Sequence, residues 1–351
     1  MGIGNFLFSI QGLFVVLSCT ATIDIKEERT KTDTSFCIEN KYVNHFVNDF
    51  EYTESYDYTF IETYTVSTEL RKDYPSPCII EGPKEQNVKL IVSRDSTFLT
   101  HITPLIVQDS NSWQVSNLAP GRYFFLFENI DSGTCVKTGC FNVTGKVRMI
   151  NAGGILNVRD VGGWSSSLGG TIKYGRLIRG GKLEEAPPDD LKAIVDIGIN
   201  SELDLRGNAP VGLVDDKDYH FCALDNFLDI KNVERNCSAI RILINELSLG
   251  KNIYVHCSGG ADRTGVFCLL VEGACGVSES DISKEYELTS FSTVGVRKRN
   301  SGGFPEAMEY VKSFSGANLQ EKFVSYLLAG GLNSDEIAIL ISELVENNDC
   351  K

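Results

Sequence analysis

Residues Tyr254–Gly265 read YVHCSGGADRTG. An apolar, β-type run ending at His256 delivers Cys257. Arg263 follows after five small or turn-prone residues, and Thr264-Gly265 opens an apolar, helix-like segment that runs to Gly276. A strand that feeds a short glycine-bearing loop into a helix constrains the chain strongly. The strand must be buried, the helix N-terminus must face the loop, and the loop amides can converge on one point. Gly259 and Gly260 permit backbone dihedrals that other residues avoid. The N–H groups of Ser258, Gly259, Gly260, Ala261, Asp262 and Arg263 can therefore line an anion cradle. The Arg263 guanidinium supplies a planar fork for two phosphate oxygens. The same positive field favours a thiolate at Cys257, and a thiolate beside a bound phosphate is a nucleophile aimed at phosphorus. Small residues between Cys257 and Arg263 make sense if the oxygens of a phosphate monoester touch the backbone.

The surrounding text divides near Lys146. Residues 24–60 are polar and carry little pattern. From Asn87 to Gly145, short β-type runs such as NVKLIVS and GRYFFLFENI alternate with Asp-Ser, Pro-Gly and Asp-Ser-Gly turn signals, which predicts a small β-sandwich over residues 24–147. Leu118-Ala-Pro-Gly-Arg-Tyr123 resembles the corner of fibronectin type III and immunoglobulin-like modules. Downstream, LDLR and NIYVHC read as buried parallel strands, and DDLKAIVDIG and NCSAIRILINELSLG have helical apolar spacing. Strands alternating with helices predict an α/β domain with a mainly parallel sheet over residues 148–351. At roughly 100–200 residues per domain, 351 residues suit two domains.

The net charge of -14 argues against a generic grip on nucleic acid or anionic lipid. The chain has eleven cysteines but no CxxC pair, and only four histidines, so no metal site is expected. Residues 1–23 read as a signal peptide or, with Cys19 in V-L-S-C, a lipoprotein signal, which predicts a secreted or surface-anchored protein. In that setting Cys135 and Cys140 could form a cross-strand disulfide, with two free thiols as the equal alternative. Asn142-Val-Thr and Asn236-Cys-Ser would be sugar acceptors in a eukaryotic host.

His256, Cys257, Arg263 and Thr264 fill the H-C-x5-R-[ST] signature, and the chain resembles the cysteine-dependent protein tyrosine phosphatases. Leu156-Asn-Val-Arg-Asp-Val-Gly-Gly163, Tyr174-Gly-Arg-Leu-Ile-Arg-Gly-Gly181 and Leu203-Asp-Leu-Arg206 resemble further segments of the bacterial-type tyrosine and dual-specificity branch, in the same order. Gly180 stands where that branch usually has serine. The resemblance implies a tyrosine-phosphatase-like fold for residues 148–351 and needs no cofactor. It makes Cys257 the nucleophile of a cysteinyl-phosphate and Arg263 the phosphoryl ligand. Thr264 becomes a donor to the cysteine sulfur and His256 a loop support. It implies a phosphorylated protein or other phosphate monoester as substrate.

A leaving tyrosine oxygen needs a proton. There is no W-P-D loop; neither Trp113 nor Trp164 precedes Pro-Asp. By the resemblance Asp262 is the first candidate for the acid. Asp204 is second, with an ion pair to Arg206 as the equal alternative, and Asp225 is third, with a helix cap as the stronger alternative. Arg159, Asp160 and Arg179 are read as braces of the loop. Ala261 replaces the lysine that phosphoinositide-active relatives carry, which favours a phosphoprotein over an inositol lipid. A phosphoinositide or inositol-phosphate phosphatase and a non-catalytic phosphate-binding surface protein are the alternatives. Arg297-Lys298-Arg299 is a basic cluster that either receives acidic substrate flanks or is a solvated loop.

Overall fold

Alternating apolar residues and turn chemistry organise the first half of the chain. Thr34–Cys37 (β1), Cys78–Glu81 (β2), Val88–Ser93 (β3), Leu105–Asp109 (β4), Ser112–Ser116 (β5), Gly121–Asn129 (β6) and Cys135–Thr144 (β7) form two sheets, ordered β1-β7-β6-β3 and β2-β5-β4. Cys78, Ile80, Trp113 and Val115 point inward from one sheet and meet Val92, Tyr123, Phe127 and Phe141 from the other in a shared core. At the corner singled out in the sequence, the Tyr123 hydroxyl donates to the Ala119 carbonyl at 2.7 Å. The structure is a computed structural model. It describes residues 34–48, 61, 75–85, 87–184, 186–208, 217–225 and 229–346. The signal-type stretch 1–23, with Cys19, lies outside the described residues.

Three sequence expectations change here. Cys135 and Cys140 lie on the same strand, β7, and both are free. Five residues of extended chain separate their Cα atoms by about 16 Å, far beyond the roughly 7 Å limit for a disulfide. Asn236 is buried inside a helix, where its amide donates to the Asp229 carbonyl and the Tyr326 hydroxyl, so it cannot accept a sugar. Within the patternless stretch, Lys41–Asn48 forms a helix (α1), capped by Asn40 Oδ1 on the amides of Tyr42 and Val43. Its buried face, Val43, Phe46 and Val47, joins the core of the second half rather than the shared β core.

That second half is a mixed α/β structure. Its elements are Arg159–Asp160 (β8), Thr171–Ile172 (β9), Leu177–Gly180 (β10), Pro188–Asp196 (α2), Ser201–Asp204 (β11), Asp218–Phe221 (β12), Val233–Ser248 (α3), Ile253–His256 (β13), Asp262–Ala274 (α4), Glu279–Glu287 (α5), Gly303–Lys312 (α6), Leu319–Ala329 (α7), Ser334–Leu344 (α8) and Val345–Glu346 (β14). The main sheet has the order β12-β11-β13-β10-β8, with β8 antiparallel to β10 and the other pairings parallel. All four residues of β13 are buried, because parallel strands flank it and helices cover both faces. Period-2 alternation sends Ile253, Val255 and Leu177 to the large core under α3 and α4, and Tyr254 and Ile178 to the smaller core under α2. Helix starts are written locally: Asn232 caps α3, Ser278 caps α5, and Asn333 with Glu336 forms a capping box on α8. The chain leaves central strand β13 at the C-terminal edge of the sheet, where open α/β sheets hold ligands.

Candidate active site

Cys257 follows β13 directly, and α4 begins at Asp262, so five residues make the turn. Gly260 has φ +63°, and a Cβ there would stand 2.3 Å from the Gly180 carbonyl carbon and oxygen. Only glycine fits. The turn is held from behind. The Asn157 amide donates to the carbonyls of Gly259 (3.2 Å) and Gly260 (3.0 Å). Arg179 donates through Nη2 to the carbonyls of Gly260 (2.7 Å) and Ala261 (3.2 Å). Carbonyls pulled back toward the protein leave the loop amides free to face an anion. Arg263 projects forward and donates to Ser258 Oγ at 3.0 Å.

Arg159 and Arg179 are both wholly buried and share one carboxylate. Arg159 Nε donates to Glu285 Oε1 at 2.7 Å, and Arg179 Nη1 donates to Oε2. Arg159 also holds Asn157 by its side-chain oxygen and bonds the Glu285 carbonyl. Asp160 instead serves the neighbouring turn, accepting from the amides of Gly162 and Gly175 and pairing with Arg148. Its place is one step behind the arginines rather than on the loop. His256 is buried, with Nε2 at 3.0 Å from Glu202 Oε1. Gly180 is explained by Tyr254: a Cβ at position 180 would lie 2.1 Å from the tyrosine hydroxyl, which donates to the Gly181 carbonyl instead.

Cys257 is nearly fully buried. Burial is the largest single influence and opposes ionisation. The Thr264 hydroxyl and amide, the Arg263 charge and the Ala261 amide together outweigh it and hold the thiol below its ordinary value. Thr264 Oγ1 is itself buried and makes no other hydrogen bond, so its hydroxyl is free to serve the sulfur. The next two thiols along the chain, Cys268 on α4 and Cys275 just past its end, behave oppositely. Burial pushes Cys268 far up and Cys275 up to about 12.

A family model described as the tyrosine phosphatase family matches residues 150–224 and 216–329, just over half of the chain. The chain belongs to the tyrosine phosphatase family. A Cupriavidus necator protein that carries a tyrosine-protein phosphatase name is 26% identical over 162 residues, covering 38% of this chain. The match spans 59% of that relative's own length. The crystal structure of P. aeruginosa TpbA aligns with 48% of this chain and 89% of its own, at 13% identity and a TM-score of 0.29.

The three acid candidates of this family member sit in different settings. Asp204 is fully buried and bound by the Arg206 guanidinium, with the Tyr219 hydroxyl at 3.2 Å. That is the ion pair its sequence setting offered as an alternative. Asp225 is exposed and pairs with Arg235 at 2.9 Å; the cap of α3 is Asn232, not Asp225. Asp262 stands at the first turn of α4, partly exposed beside Arg263. Both its oxygens accept from Arg297, at 2.7 and 3.0 Å. Arg299, by contrast, is buried on Glu287, so the basic cluster does not act as one solvated patch. Beside Ser258 opens a cavity of about 210 Å³, lined by Leu156, Lys182, Glu184 and Pro187 among others.

Asn157, Glu285 and Glu202 escaped the sequence reading as site residues. Asn157 was quoted inside a motif, and its φ of +60° is a signal only once the backbone is known.

The Thr264 hydroxyl gives a pH prediction. Because the folded Cys257 thiol ionises below its ordinary value, alkylation by iodoacetamide should persist into more acidic solution than for an ordinary thiol. In Thr264→Val the sulfur loses a donor, so the alkylation midpoint should move to higher pH. An unchanged midpoint would show that Thr264 does not serve the sulfur.

Proposed function

We propose that the chain hydrolyses phosphate monoesters through a cysteinyl-phosphate on Cys257, with phosphotyrosine in proteins as the main substrate and dual specificity as a feature of the same pocket. One observation carries this reading. The carbonyls of residues 259–261 are tied back by Asn157 and Arg179 while the buried Cys257 thiol is held toward its ionised form. A pure anion binder has no use for a thiolate, which repels the bound dianion.

In the proposed reaction, Arg263 and the amides of residues 258–263 hold the phosphoryl oxygens. The Cys257 sulfur attacks phosphorus, and the S–P bond forms as the P–O bond to the substrate breaks. The electron pair of that bond passes to the leaving oxygen, which takes a proton from the Asp262 carboxyl. Water then attacks phosphorus and Asp262 takes its proton. The S–P pair returns to sulfur, helped by the Thr264 hydroxyl, and inorganic phosphate leaves. Residues 148–351 form the tyrosine-phosphatase-like catalytic domain in this proposal. Residues 24–147 are an immunoglobulin or fibronectin-III-like module, and the signal-type N-terminus directs the protein to the cell surface or outside the cell. The absence of lysine at Ala261 favours phosphoproteins over inositol lipids.

The test is acid-quench trapping. Protein mixed with ³²P-labelled phosphotyrosine peptide and quenched within milliseconds should carry label on Cys257, and vanadate should block both labelling and turnover. Turnover without label on Cys257, or no turnover with phosphate still bound, would overturn the reading.

A further inference from the structure

Arg297 has a setting that the proposed chemistry does not use. It lies on the segment between Phe291 and α6 that crosses the phosphate loop. Val294 of that segment packs over Gly259, where an added Cβ would come within 3.0 Å of Val294 Cγ1. The backbone at Arg297 is fixed on both sides by Ser290. Its amide donates to Ser290 Oγ at 2.9 Å, and Ser290 Oγ donates back to its carbonyl at 3.0 Å. Two residues on, the Arg299 amide donates to Glu287 Oε1 at 2.8 Å and its guanidinium holds the other oxygen. The Arg297 guanidinium is thus presented at a set place beside the loop. There it meets Asp262, the neighbour of Arg263, in a two-toothed pair.

The pair is reachable: the Arg297 and Asp262 side chains are 25% and 37% exposed. Partly exposed pairs contribute little net stability, so a better-placed anion can take one partner from the other at small cost. The two-toothed fork of arginine suits a carboxylate or a phosphate equally. The chain carries a net charge of -14, so a substrate with extra negative charge needs local cations near the scissile group.

We infer that Arg297 is a specificity-determining residue: an acidic side chain flanking the phosphotyrosine of the substrate replaces Asp262 on its guanidinium. The inference rests on the function proposed above. The exchange has two consequences. The flank gains a fixed cation, and the Asp262 carboxyl, no longer held on both oxygens, is freed to exchange a proton with the leaving oxygen. Recognition and proton delivery are coupled through one side chain. A segment with acidic residues is favoured over an inositol polyphosphate because Ala261 supplies no ammonium inside the loop, leaving the second cation at its rim.

Steady-state kinetics of the full chain on three substrates tests this. They are para-nitrophenyl phosphate and two phosphotyrosine peptides that differ only in Asp/Glu against Asn/Gln flanks. The acidic peptide should have a kcat/KM about tenfold above the neutral one, the size of one charged hydrogen bond. The preference should shrink as salt rises. In Arg297→Ala the ratio should fall to about one, and Arg297→Lys should restore only part of it, since the ammonium keeps the charge and loses the fork. If the wild type shows no preference, or the preference survives in Arg297→Ala, the inference is wrong. An Arg297-dependent preference for an inositol bisphosphate over the acidic peptide would also overturn it. Para-nitrophenyl phosphate separates the two levels. Without its turnover the proposed function itself fails, whereas turnover without peptide preference removes only the role of Arg297.

Discussion

Cys257→Ser should lower turnover by about 10⁵–10⁶-fold, the scale of deleting a covalent nucleophile, while phosphotyrosine binding stays as tight or tightens. The two halves of that expectation come from different atoms. The proposed turnover needs an ionised sulfur, which the Thr264 donors, the Arg263 charge and the Ala261 amide favour against burial. A serine hydroxyl in the same place remains protonated, and its neutral oxygen is a poor nucleophile. In the proposed reaction binding depends instead on the loop amides and Arg263, and the loop is shaped by Asn157 and Arg179 from behind, none of which the substitution touches. Replacing a thiolate with a neutral hydroxyl also removes repulsion against the incoming dianion. Isothermal titration with phosphotyrosine, beside a turnover assay on both proteins, checks both halves. A serine variant that keeps more than a hundredth of the activity would point to another nucleophile. One that loses binding as well would mean that the sulfur shapes the loop.

The parts of the site legible in the sequence are those whose chemistry admits few residue types. A loop that offers its amides to an anion needs small residues, and a thiolate needs nearby positive charge, so Cys257 to Thr264 stand out. Arg159 and Arg179 are visible through the family motifs that contain them. Their common partner Glu285 is not. It lies in SESDISKEYELT, a stretch with six charged or hydroxyl residues in its first seven, which reads as a solvated helix face. Nothing local shows that α5 turns Ser283 to Glu287 into the protein. The cause is long-range packing, and α1 is part of it. Phe46 meets Phe291 edge to face at 5.7 Å, and Lys284 Nζ donates to the Val47 carbonyl at 3.0 Å. A short helix from the patternless stretch thereby backs the helix that anchors the loop arginines. The same limit explains Arg297: the basic cluster was visible, but which of its members reaches Asp262 depends on how the segment crosses Gly259.

The β half shows the converse. Turn signals and alternation located most strands, yet they could not say which strands pair. Cys135 and Cys140 read as hairpin partners because V-K-T-G between them resembles a turn. Here the chain continues through it as one strand, β7, with a register shift near Val136 rather than a turn, and Gly139 is needed for another reason. Phe125 of the neighbouring strand packs where its Cβ would be, at 2.7 Å.

Beneath the loop, two buried guanidiniums share one carboxylate. Arg159 and Arg179 bring two positive charges into a buried site, and Glu285 brings one negative charge. Glu272 is also buried there. Burial first, and then the Glu285 charge, pushes its carboxyl well above the usual range. Glu285→Gln should therefore be among the most damaging substitutions in the chain. It removes the carboxylate that both buried guanidiniums share and places an amide N–H against a donor. Breaking a buried pair in this way costs about 3–5 kcal/mol. Arg179, no longer anchored, should also release the carbonyls of Gly260 and Ala261, so kcat/KM should fall with stability. Glu285→Asp, which keeps the charge one methylene short, should lie between. The pH dependence gives a second readout. Burial opposes ionisation of Glu285, but Arg159 and then Arg179 overcome it, so its folded pKa lies below the unfolded one. Its contribution is complete above the unfolded carboxylate pKa and is lost as pH falls through the folded value. Denaturant midpoints of wild type and the glutamine variant should therefore differ most at neutral pH and converge in acid. A constant gap across that range, or a variant within about 1 kcal/mol of wild type at pH 7, would show that the arginines find other partners and that Glu285 does not hold the loop.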